Sequence, residues 1–230
     1  KHVGQLKNSG ATATFLTYTV RYYAYYNSDI VKIQVTVEDK ASGTRAMPTY
    51  LVGGSPVANM YKKGYYYYIN VPYTLSGTQT YTFGTPTGTA SGTMSGEKYL
   101  LQLIHDNIVG WDFLPYTFES RGSDSGMNGT GHPNGKSPGW MDLYNGTLGI
   151  SVGIKEFWQK GPKELQAQSN NIRIGLHPKR ASDEPAPNGN DTGRFDRPRI
   201  FYMPASGGAY TDELIFAFHS GSHRANLLTD

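Results

Sequence analysis

Cysteine is absent from the 230-residue sequence, which excludes disulfide frameworks, thiol catalysis and cysteine-ligated zinc sites. Long apolar runs are also missing, and without about 18 consecutive apolar residues we expect no membrane span. Charge is sparse, because Asp, Glu, Lys and Arg make up only 17% of the residues and the net charge of +3 is not gathered into a basic run. A nucleic-acid surface needs clustered cations, so we expect no nucleic-acid partner.

The abundant residue types favour strands and turns. Glycine (28), tyrosine (18) and proline (13) are frequent, and threonine recurs throughout. We therefore predict an all-β chain that forms a large antiparallel β-sandwich with long Gly/Thr-rich loops and at most one short helix. Residues 1–230 are expected to be a single domain. Because the sequence begins at Lys1 without an initiator Met, we expect it to be processed or excised from a larger protein.

Alternation of apolar and polar residues predicts the strands. Residues 12–26 and 31–37 form the clearest hairpin, with a turn at Asn27 and Ser28. Residues 98–105 are apolar on both faces, which predicts a central strand. Further strands are expected at residues 65–69, 113–118, 199–203 and 213–219.

The stretch from Leu148 to Pro178 is predicted to hold two core strands, at residues 148–154 and 172–176. We expect the polar residues 160–171 between them to be a connection, in which Pro162 could begin one helical turn. We expect these strands to carry Lys155, Trp158, Lys160, Arg173 and His177 near one rim of the sandwich.

Three segments fit no conventional core. Residues 74–96 contain almost no aliphatic side chains, so we predict an extended arm or a surface excursion there. Residues 120–138 and 179–198 are long loops, far beyond the usual connection length. The acids of the second loop lack calcium-site spacing and lie beside arginines, so we expect salt bridges there and no metal site.

Two of the three tryptophans, Trp140 and Trp158, could stack on sugar rings, but we favour a core position for both. Counting parity from Leu148 places Trp158 with the apolar residues of its strand, between the sheets. The same count places Lys155 on the opposite, exposed face, where glycine and serine leave room for a ligand.

Parts of this stretch resemble a known family. The segments Glu156-Phe157-Trp158-Gln159, Lys160-Gly161-Pro162-Lys163 and Gly175-Leu176-His177-Pro178 are similar to the central β-sandwich domain of exo-type rhamnogalacturonan lyases. The resemblance is best over residues 139–219. It implies a carbohydrate-associated protein that binds or processes acidic polysaccharide. In that family the sugar site is shared with a helical toroid domain, which this sequence lacks, so we do not expect the chain to be catalytic alone.

Polysaccharide lyases need a base and a cation that neutralises a uronate carboxylate. We therefore select basic and aromatic residues as ligand-binding candidates and leave the catalytic residues unassigned. No cofactor is expected. The candidates are Lys155, Lys160, Trp140, Arg121, His132, Arg173 and His177.

A second hypothesis is a non-catalytic structural protein of an extracellular or virion assembly, which would use the sandwich and its loops for subunit contacts. The expected partners are thus acidic polysaccharide or neighbouring protein subunits, including further copies of the chain. Under both hypotheses we expect an extracellular or secreted location, or a virion surface.

Overall fold

The computed structural model describes residues 1–6, 16–39, 67–105, 108–109, 112–113, 117–122, 132–133, 135–161, 163–168, 170–178, 209–221 and 223. The regular elements in these ranges are all strands, and every strand pairing is antiparallel. The predicted all-β antiparallel sandwich is therefore confirmed. The predicted strand at residues 199–203, the loop at 179–198 and most of residues 120–138 lie outside the described residues.

In chain order the strands are His2–Leu6 (β1), Leu16–Ala24 (β2), Ile30–Asp39 (β3), Tyr67–Pro72 (β4), Thr80–Thr85 (β5), Gly88–Thr93 (β6), Lys98–His105 (β7), Ile108–Val109 (β8), Asp112–Phe113 (β9), Thr117–Gly122 (β10), His132–Pro133 (β11), Trp140–Tyr144 (β12), Gly149–Ile154 (β13), Lys163–Gln168 (β14), Asn171–His177 (β15) and Ala209–His219 (β16).

Two sheets carry most of these strands. The eight-stranded sheet has the order β1-β2-β3-β16-β13-β12-β5-β6, and the six-stranded sheet has the order β11-β10-β7-β14-β15-β4. Strands β8 and β9 form a separate two-stranded sheet. One continuous core lies between the large sheets, and its fully buried members include Val152 from the first sheet and Leu100, Leu165 and Ile174 from the second.

The clearest predicted elements are confirmed. Strands β2 and β3 pair over their whole length, and Asn27 in the turn between them takes a φ of 56°, a conformation that Asn tolerates well. Strand β7 lies inside the six-stranded sheet, and both Leu100 and Leu101 on its two faces are fully buried. Apolar residues on both faces of a strand thus correctly predicted that it lies in the interior of its sheet.

The expected polar connection at residues 160–171 is wrong, because residues 163–168 form β14 in the middle of the six-stranded sheet. The side chains of β14 alternate between the core and the outer face, but most of them are polar, so the sequence does not show an apolar-polar alternation. Leu165 and Ala167 point into the core together with Lys163, whose charge has a partner there. Glu164 and Gln166 point to the outer face.

The expectation that residues 74–96 contribute nothing to the core is also wrong. This segment contains a hairpin, β5–β6, which pairs with β12. Strand β5 places only two large side chains in the core, the aromatic rings of Tyr81 and Phe83, and Phe83 is fully buried. Two large rings replace the aliphatic side chains whose absence suggested a surface excursion.

The predicted core position of Trp158 is wrong, whereas Lys155 is exposed as expected. Strand β13 ends at Ile154, and Glu156 takes a φ of 57°, so alternation cannot be counted past that point. Phe157 fills the core instead, with 1% of its surface exposed, and Trp158 is half-buried. Phe157 packs against Gly139, whose φ of +76° and missing Cβ leave space for the ring.

This placement predicts a difference between two neighbouring truncations. Phe157→Ala should reduce the free energy of unfolding by about 3 to 5 kcal/mol, because it empties a core site. Trp158→Ala should cost less than about half of that, since the indole is only half-buried. Urea unfolding of both variants measures the difference. A larger loss of unfolding free energy for Trp158→Ala would show that Trp158, and not Phe157, fills the core.

Candidate functional site

A buried ion pair joins the two sheets. Lys163 on β14 and Asp212 on β16 are both essentially inaccessible to solvent. The Lys163 ammonium donates hydrogen bonds to Asp212 Oδ2 at 3.1 Å and to the Leu176 carbonyl at 2.9 Å. Asp212 Oδ1 also lies 3.1 Å from the ammonium, within ion-pair distance.

Burial dominates the titration of this pair. It lowers the pKa of Lys163 and raises the pKa of Asp212, while the mutual attraction of the two groups opposes both shifts. The ring of Tyr210 lies 4.8 Å from the Lys163 ammonium and completes its shell. Because neither charge can be reached from outside, the pair has a structural role and cannot bind a substrate.

The turn after β13 carries two of the candidate residues. Lys155 is exposed, and Lys160 forms an ion pair with Glu156 at 2.6 Å and donates a hydrogen bond to the Thr211 carbonyl at 3.2 Å. The hydrogen bond from Lys160 holds the pKa of Glu156 below its usual range. The ammonium of Lys160 is therefore already engaged, and its contribution to ligand binding remains a prediction.

Trp140 is buried as predicted, but it lies on the outer face of the eight-stranded sheet, where Ile215 packs against it. Only 5% of its surface is exposed, and its ring packs over Gly84 and stacks on His223 with ring centroids 5.1 Å apart. His223, which follows β16, thus lies over this tryptophan. The ring is covered, so it offers no open face to a sugar in this conformation.

Arg173 occupies a different setting, on the outer face of the six-stranded sheet. Its neighbours Ile172 and Ile174 point into the core, so alternation directs Arg173 outward. The guanidinium lies over the Tyr68 ring, 3.6 Å from its centroid. Gly175, opposite Tyr68, leaves room for this packing, because a Cβ there would lie 3.1 Å from the tyrosine ring.

The group formed by Tyr68, Tyr99, Gln166 and Arg173 is called the Arg173 surface below. Gln166 stands directly opposite Arg173 on one side and opposite Tyr99 on the other, and with Tyr68 on β4 four adjacent strands contribute. Asn70 and Asn171 flank the surface with exposed or half-exposed amides. The chemistry is that of a polar, aromatic platform with one cation.

Two polar atoms of this surface lack hydrogen bonds. Arg173 Nε is a buried donor without an acceptor, and Gln166 Oε1 is a buried acceptor without a donor, although the Gln166 side chain is only 2% exposed. Within the described ranges no carboxylate pairs with the Arg173 guanidinium. Buried polar groups without partners cost free energy, so these two atoms destabilise the folded state locally.

The other candidates can be placed by backbone alone. Cross-strand pairs run from Arg121 through Leu101 and Glu164 to Gly175, so Arg121 lies in the row next to that of Arg173. His132 on β11 and His177 at the end of β15 belong to the same sheet. The structure thus gathers four of the seven candidates in the six-stranded sheet. It does not bring Arg173 to the turn that carries Lys155 and Lys160.

A serine, an aspartate and a histidine meet on the outer face of the eight-stranded sheet. Asp142 Oδ1 accepts a hydrogen bond from Ser151 Oγ at 2.6 Å and contacts His219 Nε2 at 2.7 Å. His219 Nδ1 lies 2.9 Å from the Gly221 carbonyl. A nucleophilic triad needs the imidazole between serine and carboxylate, whereas here the carboxylate is in the middle. We therefore interpret these residues as a structural network, which sequence reasoning had not identified.

A cleft lies between the end of β4, the start of β13 and the end of β16. Its lining is mainly apolar and includes Val71, Ile150 and the half-exposed Leu148 and Phe218. Tyr73 in its wall donates a hydrogen bond to the Gln168 carbonyl, and burial raises the pKa of this tyrosine to about 12. Among the described residues that line the cleft there is no lysine or arginine, so it suits an anionic polymer less well than the Arg173 surface does.

Comparison with other proteins adds no relative: the chain matches no known family model and no curated protein. The resemblance to exo-type rhamnogalacturonan lyases therefore stays a prediction. Among the described residues, no group of three or more metal-binding side chains is found. None of the described segments is a helix with the length and apolarity needed to cross a membrane.

The buried ion pair gives a prediction for a double-mutant cycle. Lys163→Met should reduce the free energy of unfolding by about 3 to 5 kcal/mol, because it leaves the Asp212 carboxylate buried without its partner. The double variant Lys163→Met/Asp212→Leu should lose much less than the sum of the two single variants. Urea unfolding measures all four proteins, and additive losses would show that the two groups do not stabilise each other.

Proposed function

We propose that the protein binds an acidic polysaccharide on the outer face of its six-stranded sheet, where Arg173 pairs with a uronate carboxylate. The observation that carries this proposal is the half-buried Arg173 guanidinium, stacked on Tyr68 and lacking a carboxylate partner in the described part of the chain. A guanidinium can hold a carboxylate through two parallel hydrogen bonds. Stacking on the tyrosine fixes its plane before the ligand arrives, which reduces the entropy lost on binding.

The flat geometry of the surface favours a polymer over a compact ligand. Neighbouring strands lie about 4.8 Å apart, so three strand steps and a shift of two residues separate the Arg121 backbone from that of Arg173 by roughly 16 Å. That span accommodates several sugar rings along the face. Tyrosine rings and amides between the two arginines can contact ring faces and hydroxyls.

Three of the other described cations, all lysines, are already paired with carboxylates. Lys32, Lys160 and Lys163 are each engaged by a carboxylate, at 2.7, 2.6 and 3.1 Å respectively. Burial tends to raise the pKa of Glu213, the partner of Lys32, but hydrogen bonds from Lys32 and Gln34 outweigh it and lower this pKa. Binding a polyanion through these lysines would first require breaking an existing pair.

Binding at the Arg173 surface does not require that the protein cleaves the polysaccharide. Acidic polysaccharides are found outside cells, so the extracellular or secreted location expected from the sequence belongs to the same proposal. Absorbance of an unsaturated product in the ultraviolet would report cleavage independently of affinity. A chain that binds without producing this absorbance fits the proposal as it stands.

Replacement of Arg173 tests the proposal directly. Arg173→Gln should weaken binding to polygalacturonate by about 10-fold or more, because a charge-assisted pair contributes about 1.5 to 3 kcal/mol. Arg173→Lys should recover only part of the affinity, since an ammonium keeps the charge but not the paired hydrogen bonds. Calorimetric titration at fixed, low salt measures these affinities.

A matched control is Arg21→Gln, which removes another half-buried strand arginine, from β2 of the eight-stranded sheet. This variant should bind polygalacturonate as the unaltered protein does. Equal affinities of the Arg173→Gln variant and the unaltered protein would contradict the proposed site. Failure of the unaltered protein to bind any uronate polymer would contradict the proposed function itself.

A further inference from the structure

The outermost strand of the eight-stranded sheet, β6, is an open edge. In the described part of the chain it pairs with β5 on one side only. The register runs without interruption from Thr80 opposite Thr93 to Thr85 opposite Gly88, so no bulge bends the strand away. A regular strand of this kind presents a row of unpaired backbone donors and acceptors.

The direction of those backbone groups follows from one hydrogen bond. The Met94 amide donates to the Gln79 carbonyl at 2.8 Å, which directs the backbone of residue 94 toward the neighbouring strand. Because successive residues of an antiparallel strand alternate, residues 88, 90 and 92 also face β5. The amides and carbonyls of Thr89, Ser91 and Thr93 therefore point away from the sheet, and these three residues are exposed.

Natural edge strands usually carry devices that prevent pairing with another chain. Strand β6 has neither a proline nor a charged residue, and no charged side chain occurs between Tyr73 and Glu97. The edges of the six-stranded sheet differ, because β4 ends at Pro72 and β11 consists only of His132 and Pro133. A second copy brought against β6 would meet no like charge along this edge.

We propose that β6 pairs antiparallel with β6 of a second copy of the chain, with the two-fold axis at Ser91. Hydrogen bonding requires that outward-facing residues meet outward-facing residues. The register that engages all three of them places Ser91 opposite Ser91 and Thr89 opposite Thr93. Ala90 and Gly92 then face each other on the core side, where their small size avoids a clash.

The side chains on the exposed face of β6 are also compatible with a two-fold axis. Thr89 meets Thr93 and Ser91 meets its own copy, and hydroxyl pairs of this kind form hydrogen bonds across antiparallel strands. A two-fold arrangement also closes on itself, so it gives a dimer and not a fibre. The two eight-stranded sheets become continuous, while both Arg173 surfaces, which belong to the other sheet, stay accessible.

The absence of native cysteine makes the register testable by single substitutions. In the proposed dimer the two copies of residue 91 have Cβ atoms about 5.5 Å apart, so Ser91→Cys should form a covalent dimer with a short thiol-to-thiol cross-linker. The two copies of residue 89 are about 14 Å apart, so Thr89→Cys alone should cross-link roughly ten-fold more slowly or not at all. A mixture of Thr89→Cys and Thr93→Cys proteins should cross-link efficiently.

Mass measurement of the full chain without cross-linker provides the second arm. The unaltered protein should shift from monomer to dimer as its concentration rises, and Ser91→Pro should remain monomeric, because proline removes an outward donor without breaking a bond to β5. Its urea midpoint should match that of the unaltered protein. A monomer at every concentration would overturn the proposal, and it is also the result expected if β6 pairs with a different protein. Equal cross-linking of Ser91→Cys and Thr89→Cys would overturn the proposed register.

Discussion

The ion pair between Lys163 and Asp212 is the constraint on which the arrangement of the two sheets depends. It places one full charge from each sheet in the core, with both groups inaccessible to solvent. A slip of β14 by one residue would turn Lys163 outward and bring Glu164 toward Asp212, so that two carboxylates would meet in a medium of low polarity. The pair therefore specifies the register of the strand that carries Gln166 to the outer face.

Sequence patterns identified those elements in which burial alone decides the structure. Strands β3, β7, β13, β15 and β16 have apolar residues at the alternation that a core requires, and their positions were predicted. Strand β14 was missed because its first inward residue is Lys163, which is tolerated only next to a partner from a distant part of the sequence. Trp158 was misplaced because the positive φ of Glu156 interrupts the alternation, and a glutamate does not signal such a conformation as a glycine would.

Alternation within one strand predicts part of the candidate site, but the order of the strands is needed for the rest. Parity within β15 already directs Arg173 away from Ile172 and Ile174, so its outward position follows from the sequence. Its contact with Tyr68 and its position opposite Gln166 depend on the strand order β4-β15-β14, which local patterns do not contain. The separation of Arg173 from Lys155 has the same origin, since β13 and β15 are close in sequence but belong to different sheets.

The central claim is that the Arg173 surface binds acidic polysaccharide, and hydrogen exchange of backbone amides with and without oligogalacturonate tests it most directly. The account predicts slower exchange in β4, β14 and β15 on addition of the ligand, and no change in β2, β3 or β16 of the eight-stranded sheet. Protection confined to the turn at residues 155–160 or to the cleft lined by Leu148 and Phe218, or no protection anywhere at saturating ligand, would contradict it.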